Sequence, residues 1–128
     1  MKIVKVLLVL FLLTSCFETE RNCKDYKTGT FEFSYTIDGV KKTGTFLRTE
    51  KFNIDYFDGK VDSASIRWIN DCEFIQKKIN PKSMAEQEAI HFKILTTTDS
   101  SYTFEYKRAV KKTNQKIRVE KGTAYKVN

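Results

Sequence analysis

From Thr28 onward, bulky apolar side chains recur at every second position. Phe31, Phe33, Tyr35 and Ile37 alternate with Glu32, Ser34 and Thr36, which puts four large groups on one face of an extended strand. Asp38-Gly39 follows, the residue pair favoured in a tight type I′ hairpin, and Val40 to Arg48 returns as the partner strand. The arrangement is then repeated. Phe52, Ile54 and Tyr56 alternate with Asn53 and Asp55, Asp58-Gly59 makes the next turn, and Lys60 to Ile69 comes back with Ile66 and Trp68 on one face. Asn70-Asp71 predicts a third turn, and Cys72 to Ile79 the next strand. Asn80-Pro81-Lys82-Ser83 interrupts the alternation, and Met84 to Ala89, rich in good helix formers, predicts one or two helical turns. His91 to Thr97 reads as strand again and Thr98 to Ser101 as a polar turn. Tyr102, Phe104 and Tyr106 then alternate with Thr103 and Glu105. Lys111 to Gln115 predicts a basic loop, and Ile117 to Val127 the closing strand, kinked at Gly122.

About eight strands joined mostly by tight turns predict an all-β fold, an antiparallel meander. A meander this long must hide its edge strands, and curling into a small lipocalin-like barrel or half-barrel does so. A two-sheet sandwich is the alternative. The alternation predicts that Phe31, Phe33, Tyr35, Trp68, Phe74, Phe104 and Tyr106 point inward, because a one-residue slip would move the whole set into water.

The first residues follow a different pattern. Lys2 and Lys5 precede an unbroken apolar run from Val6 to Leu13. That run is too short to span a bilayer but suits the core of a secretory signal. It ends in Leu13-Thr14-Ser15-Cys16, which resembles the lipobox of bacterial lipoproteins. The resemblance implies diacylglycerol on the Cys16 thiol, cleavage before Cys16 and acylation of the new amino terminus. Two or three acyl chains anchor a protein stably where one does not. Residues 1–15 are thus expected to be a signal peptide, 16–27 a lipidated tether, and 28–128 a barrel-like domain. Phe17, rather than Asp, after Cys16 favours the outer membrane.

Export changes the reading of the cysteines. Cys23 and Cys72 remain once Cys16 is lipidated, in a compartment where disulfides persist. A bond between them would close a loop of about 50 residues, worth about 4 kcal/mol by loop entropy. Two free buried cysteines are the alternative. A metal site is not expected, since His91 is the only histidine and no CxxC spacing occurs.

The formal net charge is +7, mixed with acidic residues along most of the chain. A solvated, slightly basic surface accounts for it. The stretch Lys107, Arg108, Lys111, Lys112, Lys116, Arg118 and Lys121 reads first as a solvated hairpin and second as a contact for anionic lipid or glycan. Nucleic acid is not an expected partner, because the leader directs the chain away from it.

Arg67-Trp68-Ile69-Asn70-Asp71-Cys72-Glu73-Phe74 is the most particular segment. With Glu20-Arg21-Asn22-Cys23-Lys24, Lys27-Thr28-Gly29-Thr30-Phe31, Ile37-Asp38-Gly39-Val40 and Met84-Ala85-Glu86, it resembles a family of short flavobacterial-type lipoproteins of unassigned activity. Members of that family sometimes carry the label DNA topoisomerase IV. An ATP-driven strand-passing enzyme needs hundreds of residues, and this chain has 128, so the label reads as a transferred misnomer. The Trp-x-x-x-Cys spacing also resembles the central hairpin of lipocalin-like envelope proteins.

No GxSxG, HExxH, Walker loop or Gly-rich phosphate turn occurs, so no catalytic residue and no cofactor is expected. His91 reads as structural. Asp38, Asp55, Asp58 and Asp62 scatter around turns, and turn chemistry accounts for Asp38 and Asp58. Trp68 is first a core residue. Its functional reading is a stacking platform in the barrel mouth, with Arg67 beside it on the other face. The expected function is that of a monomeric, non-enzymatic envelope lipoprotein binding a small apolar ligand or an envelope partner. The alternative is a structural or assembly component without a cavity.

Overall fold

The computed structural model describes residues 21–128; the leader and Cys16 lie outside the described residues. Eight strands run in chain order: β1 (Gly29–Ile37), β2 (Val40–Arg48), β3 (Phe52–Phe57), β4 (Lys60–Asn70), β5 (Glu73–Lys78), β6 (Ile90–Thr97), β7 (Ser101–Arg108) and β8 (Glu120–Lys126). Each pairs antiparallel with the next, and β8 returns to β1 to close the barrel. The expected meander and barrel are therefore present. Asp38-Gly39 and Asp58-Gly59 form the tight turns, with all four residues at positive φ, the backbone that two-residue hairpins demand.

The two ends of the barrel differ. One end receives the starts of β1, β3, β5 and β7 and is plugged by a 3-10 turn, Cys23–Tyr26. Cys23 and Tyr26 are buried there with Phe31, Phe46, Ile94, Tyr102 and Ala124. The Tyr26 hydroxyl donates to the Thr98 carbonyl at 2.5 Å, and Lys126 Nζ donates to the Asp25 carbonyl at 2.6 Å. The segment expected to be tether thus supplies core from Cys23 onward. A disulfide joins Cys23 to Cys72, with Cα atoms 5.2 Å apart, and fastens the plug to the β4–β5 turn.

The other end carries the two tight hairpins and two longer loops, 79–89 and 109–119. Met84–Ala89, expected to be helical, forms only successive turns, with Gln87 N–H bonding the Met84 carbonyl and Glu88 N–H the Ala85 carbonyl. Their side chains are recruited elsewhere. Glu86 bonds Lys78 Nζ at 2.7 Å and the Lys82 amide at 2.6 Å. Glu88 pairs with Arg108 and Lys112. A six-residue helix has too little intrinsic stability to resist such anchors. The closing strand begins at Glu120 rather than Ile117, because 117–119 belong to the long loop.

Inward positions hold stacked aromatic rings. Phe31 lies 4.9 Å from Phe46, and Phe92 is 4.9 Å from Phe74 and 5.2 Å from Tyr106, centroid to centroid. Burying each such ring stabilises the fold by roughly 1.5–3 kcal/mol. Of the seven residues expected inside, Phe31 and Phe74 are fully buried and the other five are half-buried. Ile37, at the hairpin tip, is exposed. Two rings need glycines opposite them. Phe33 pairs with Gly44 and Phe104 with Gly122, and each ring lies across the bare backbone of the neighbouring strand. A Cβ on Gly44 would fall 2.4 Å from Phe33 Cζ, and one on Gly122 2.8 Å from Phe104 Cζ.

Strand β3 departs from the pattern. Its face with Phe52, Ile54 and Tyr56 points outward, leaving Phe52 and Tyr56 exposed, while Asn53 and Asp55 point inward. Phe57 supplies the apolar contact to Tyr35, at 6.1 Å. The register with β2 sets this choice, since it places Asn53 opposite buried Arg48.

Candidate functional site

Strand β2 carries Gly44, Phe46 and Arg48 at alternate positions, all buried. The period that sends Phe46 into the core therefore sends the Arg48 guanidinium in as well. Arg48 is only 4 % exposed. Its Nε donates to Asn53 Oδ1 at 3.3 Å, one terminal nitrogen to the Tyr26 carbonyl at 3.0 Å, and the other to the Tyr102 hydroxyl at 2.7 Å. All three acceptors are neutral. Among the described residues, no carboxylate lies within ion-pair distance of it. Burying an unpaired charge is costly. The cost is offset by aromatic faces: Phe74, Phe46, Phe31 and Tyr102 have ring centroids 4.8, 5.0, 5.3 and 5.6 Å from the guanidinium carbon.

Asp55 stands two positions further along the inner face of β3. It accepts from Asn53 Nδ2 at 2.9 Å. Burial pushes its carboxyl up to about 6, against the opposing effects of the Asn53 bond and the Arg48 charge. Burial also raises the Tyr102 hydroxyl above its ordinary value, so it stays protonated.

This cluster faces unfilled space. A cavity of about 70 Å³ is lined by Arg48, Asn53, Asp55, Gln76 and Tyr102, with Phe46, Phe92 and Phe104 supplying the aromatic part. Asp55 and Gln76 also line a wider space of about 290 Å³ beyond them, with Asp62, Ala64, Lys78, Glu86, Glu88 and Ile90. Asp55 and Gln76 thus border both spaces, the inner one at the guanidinium and the outer one toward the mouth. At the mouth, Lys78 reaches Asp62 at 3.4 Å and Glu86 at 2.7 Å, tying loop 79–89 across the opening.

The residues singled out from the sequence lie elsewhere. Trp68 is at the plugged end, not in the mouth. It packs 4.7 Å from Phe74 and against the core, with Lys27 Nζ 5.0 Å above its ring. Arg67 faces outward and is exposed. The first reading of Trp68, as core, matches this packing; the functional reading, a platform in the mouth with Arg67 beside it, does not, because β4 runs toward the plug. Cys23 and Cys72 are joined as described. His91 lies 3.1 Å from Glu73 on the outer surface. Among the described residues, no three His, Cys, Asp or Glu side chains are grouped to hold a metal. Arg108 and Lys112 of the basic stretch are engaged by Glu88. Arg48, Asn53 and Gln76 were not anticipated, and Asp55 was read only as part of an acidic scatter around turns. Their signal was parity: each sits on the face of its strand that the neighbouring registers turn inward.

Fold and site together define a class: a closed eight-stranded antiparallel barrel, plugged at one end, with a buried cation and a carboxylate facing open space in its lumen. No protein-family model matches the chain, and neither the curated proteins nor the solved structures contain a match to it.

Proposed function

We propose that this protein is a non-enzymatic binding module of the cell envelope. It is exported, held on a membrane, the outer one by the residue after Cys16, through lipid on that cysteine, and takes a small ligand into its barrel lumen. The lipoprotein part of the reading rests on the leader and on Leu13-Thr14-Ser15-Cys16; the disulfide accords with export. The binding part is carried by one observation: the lumen is unfilled beside Arg48, Asn53, Asp55 and Gln76. Protein interiors are otherwise close-packed, and small-molecule sites combine aromatic walls with a few convergent polar groups. The lining is part aromatic and part polar, so the ligand carries a polar end along with its apolar body.

The test is native mass spectrometry of the full-length protein taken from its own envelope. A small non-covalent adduct is expected, and Gln76→Trp, which fills the lumen, should remove it. An adduct-free wild type, or an adduct unaffected by Gln76→Trp, overturns the lumen reading. A second reading, an assembly component docked on an envelope protein, has one observation in its favour. Leu47, Phe52, Tyr56 and Val61 are exposed on the outer face of β2–β4, with Tyr56 directly opposite Val61.

A further inference from the structure

Three side chains on the inner wall of the lumen have donor capacity beyond the hydrogen bonds they make. A guanidinium has five N–H groups, and Arg48 makes three hydrogen bonds among the described residues. The Tyr102 hydroxyl accepts from Arg48 at 2.7 Å, and its own proton has no acceptor among the described residues. The Gln76 side-chain amide, on the same wall, likewise has no partner among them. The space they face, about 70 Å³, holds a small group and not a large one. The missing counterpart is therefore a compact, planar acceptor with one negative charge. A phosphate is bulkier and doubly charged, and desolvating it in an aromatic pocket costs more.

We propose that the lumen binds the carboxylate end of a small monocarboxylic acid, held by Arg48 and Tyr102, with Asp55 taking one proton from solvent as the ligand enters. This rests on the lumen-binding reading above and assigns its ligand class. The proton is required because two carboxylates cannot both stay charged in so small a space. Protonated, Asp55 becomes a donor to the ligand oxygen in place of a competitor for Arg48. The charged and titratable groups around Asp55 are Arg48 from β2, Asp62 from β4, Lys78 from β5, Tyr102 from β7, and Glu86 and Glu88 from loop 79–89. Asp62, Glu86 and Glu88 are each paired with a cation, which leaves Asp55 as the carboxyl poised to change. The body of the ligand lies in the wider space toward Ala64 and Ile90.

Benzoate, with benzyl alcohol and benzylamine as neutral and cationic counterparts, provides the test by calorimetry on the full-length protein. Benzoate should bind tightest of the three. With Asp55 titrating near 6, its affinity should be about 20-fold higher at pH 5.5 than at pH 7.5, with close to one proton taken up at the higher pH. Asp55→Asn should bind benzoate with no dependence on pH, and Arg48→Met should lose it. Because Arg48→Met removes three core hydrogen bonds and can fail to fold, Asp55→Asn carries the decision. Benzoate binding that is absent, that is independent of pH in the wild type, or that is weaker than benzylamine binding overturns the carboxylate assignment. Where benzyl alcohol or benzylamine binds and Gln76→Trp blocks it, lumen binding survives that loss. Where none of the three binds and native mass spectrometry finds no adduct, both readings fall.

Discussion

The carboxyl of Asp55 makes stability fall as pH rises. Its value is raised to about 6 from 3.8, so the folded state holds the proton more firmly than the unfolded chain. Such a group contributes stability that is complete below about 4 and is lost as pH climbs through about 6. The shift corresponds to about 3 kcal/mol. Asp55→Asn keeps an oxygen for Asn53 Nδ2 and carries no charge. It should therefore melt higher than the wild type at pH 7.5, with the gap closing by pH 4. A melting-temperature difference that stays constant across that range would reject the account. Asp71, Glu73, Glu86 and Glu88 act in the opposite sense. They are held below the usual range by hydrogen bonds from Lys27, Asn70, Lys78 and Lys112 respectively, and favour the fold less as pH falls. They are common to both proteins and cancel in the comparison.

Pairs of strands depend on the fit of ring to glycine. Gly44→Ala should cost about 1–3 kcal/mol by overpacking against Phe33, read as a lowered midpoint in urea. Gly44→Ala combined with Phe33→Leu should cost less than the two single changes added together; additive costs would show that the ring is not what the methyl meets. Neither glycine was read this way from the sequence, because cross-strand partners are invisible until register is known. What alternation did convey is the meander itself: Phe31-Phe33-Tyr35 and Tyr102-Phe104-Tyr106 each have one bulky face, and both faces point in. It left β3 undecided, where Phe57 extends the apolar run to the opposite face and makes parity ambiguous. The polar partner Arg48, across the β2–β3 ladder, decides which face turns inward. The lumen cluster was hidden for the same reason, since an arginine at a strand end normally reads as solvated. Trp68 was correctly weighed first as core, and its place beside the plug follows from strand direction, which alternation cannot supply.

At the scale of the molecule, two attachments can be tested separately. The Cys23–Cys72 bond spans 49 residues, worth about 4 kcal/mol by loop entropy. Cys72→Ala should lower the melting temperature sharply in oxidising buffer and little in reductant, and equal losses in both would show that packing, not the bond, is responsible. Cys16→Ser should leave a precursor that is neither lipidated nor retained on membranes; a processed, membrane-bound variant would contradict the lipoprotein reading. The barrel is also fastened to itself, and unevenly. Seven ladders join neighbours in sequence, whereas β1 meets β8 only at Phe31 opposite Lys126 and Glu32 opposite Tyr125. Thr30 adds bonds to Asn128 and Val127. That seam joins residues roughly 95 positions apart, and loop-closure entropy must be met before so distant a contact returns anything. Hairpins between sequence neighbours are therefore expected to form first, with the β1–β8 ladder the last to close. A chain built this way stays an open sheet, with two strand edges unpaired, for as long as β8 is withheld from β1.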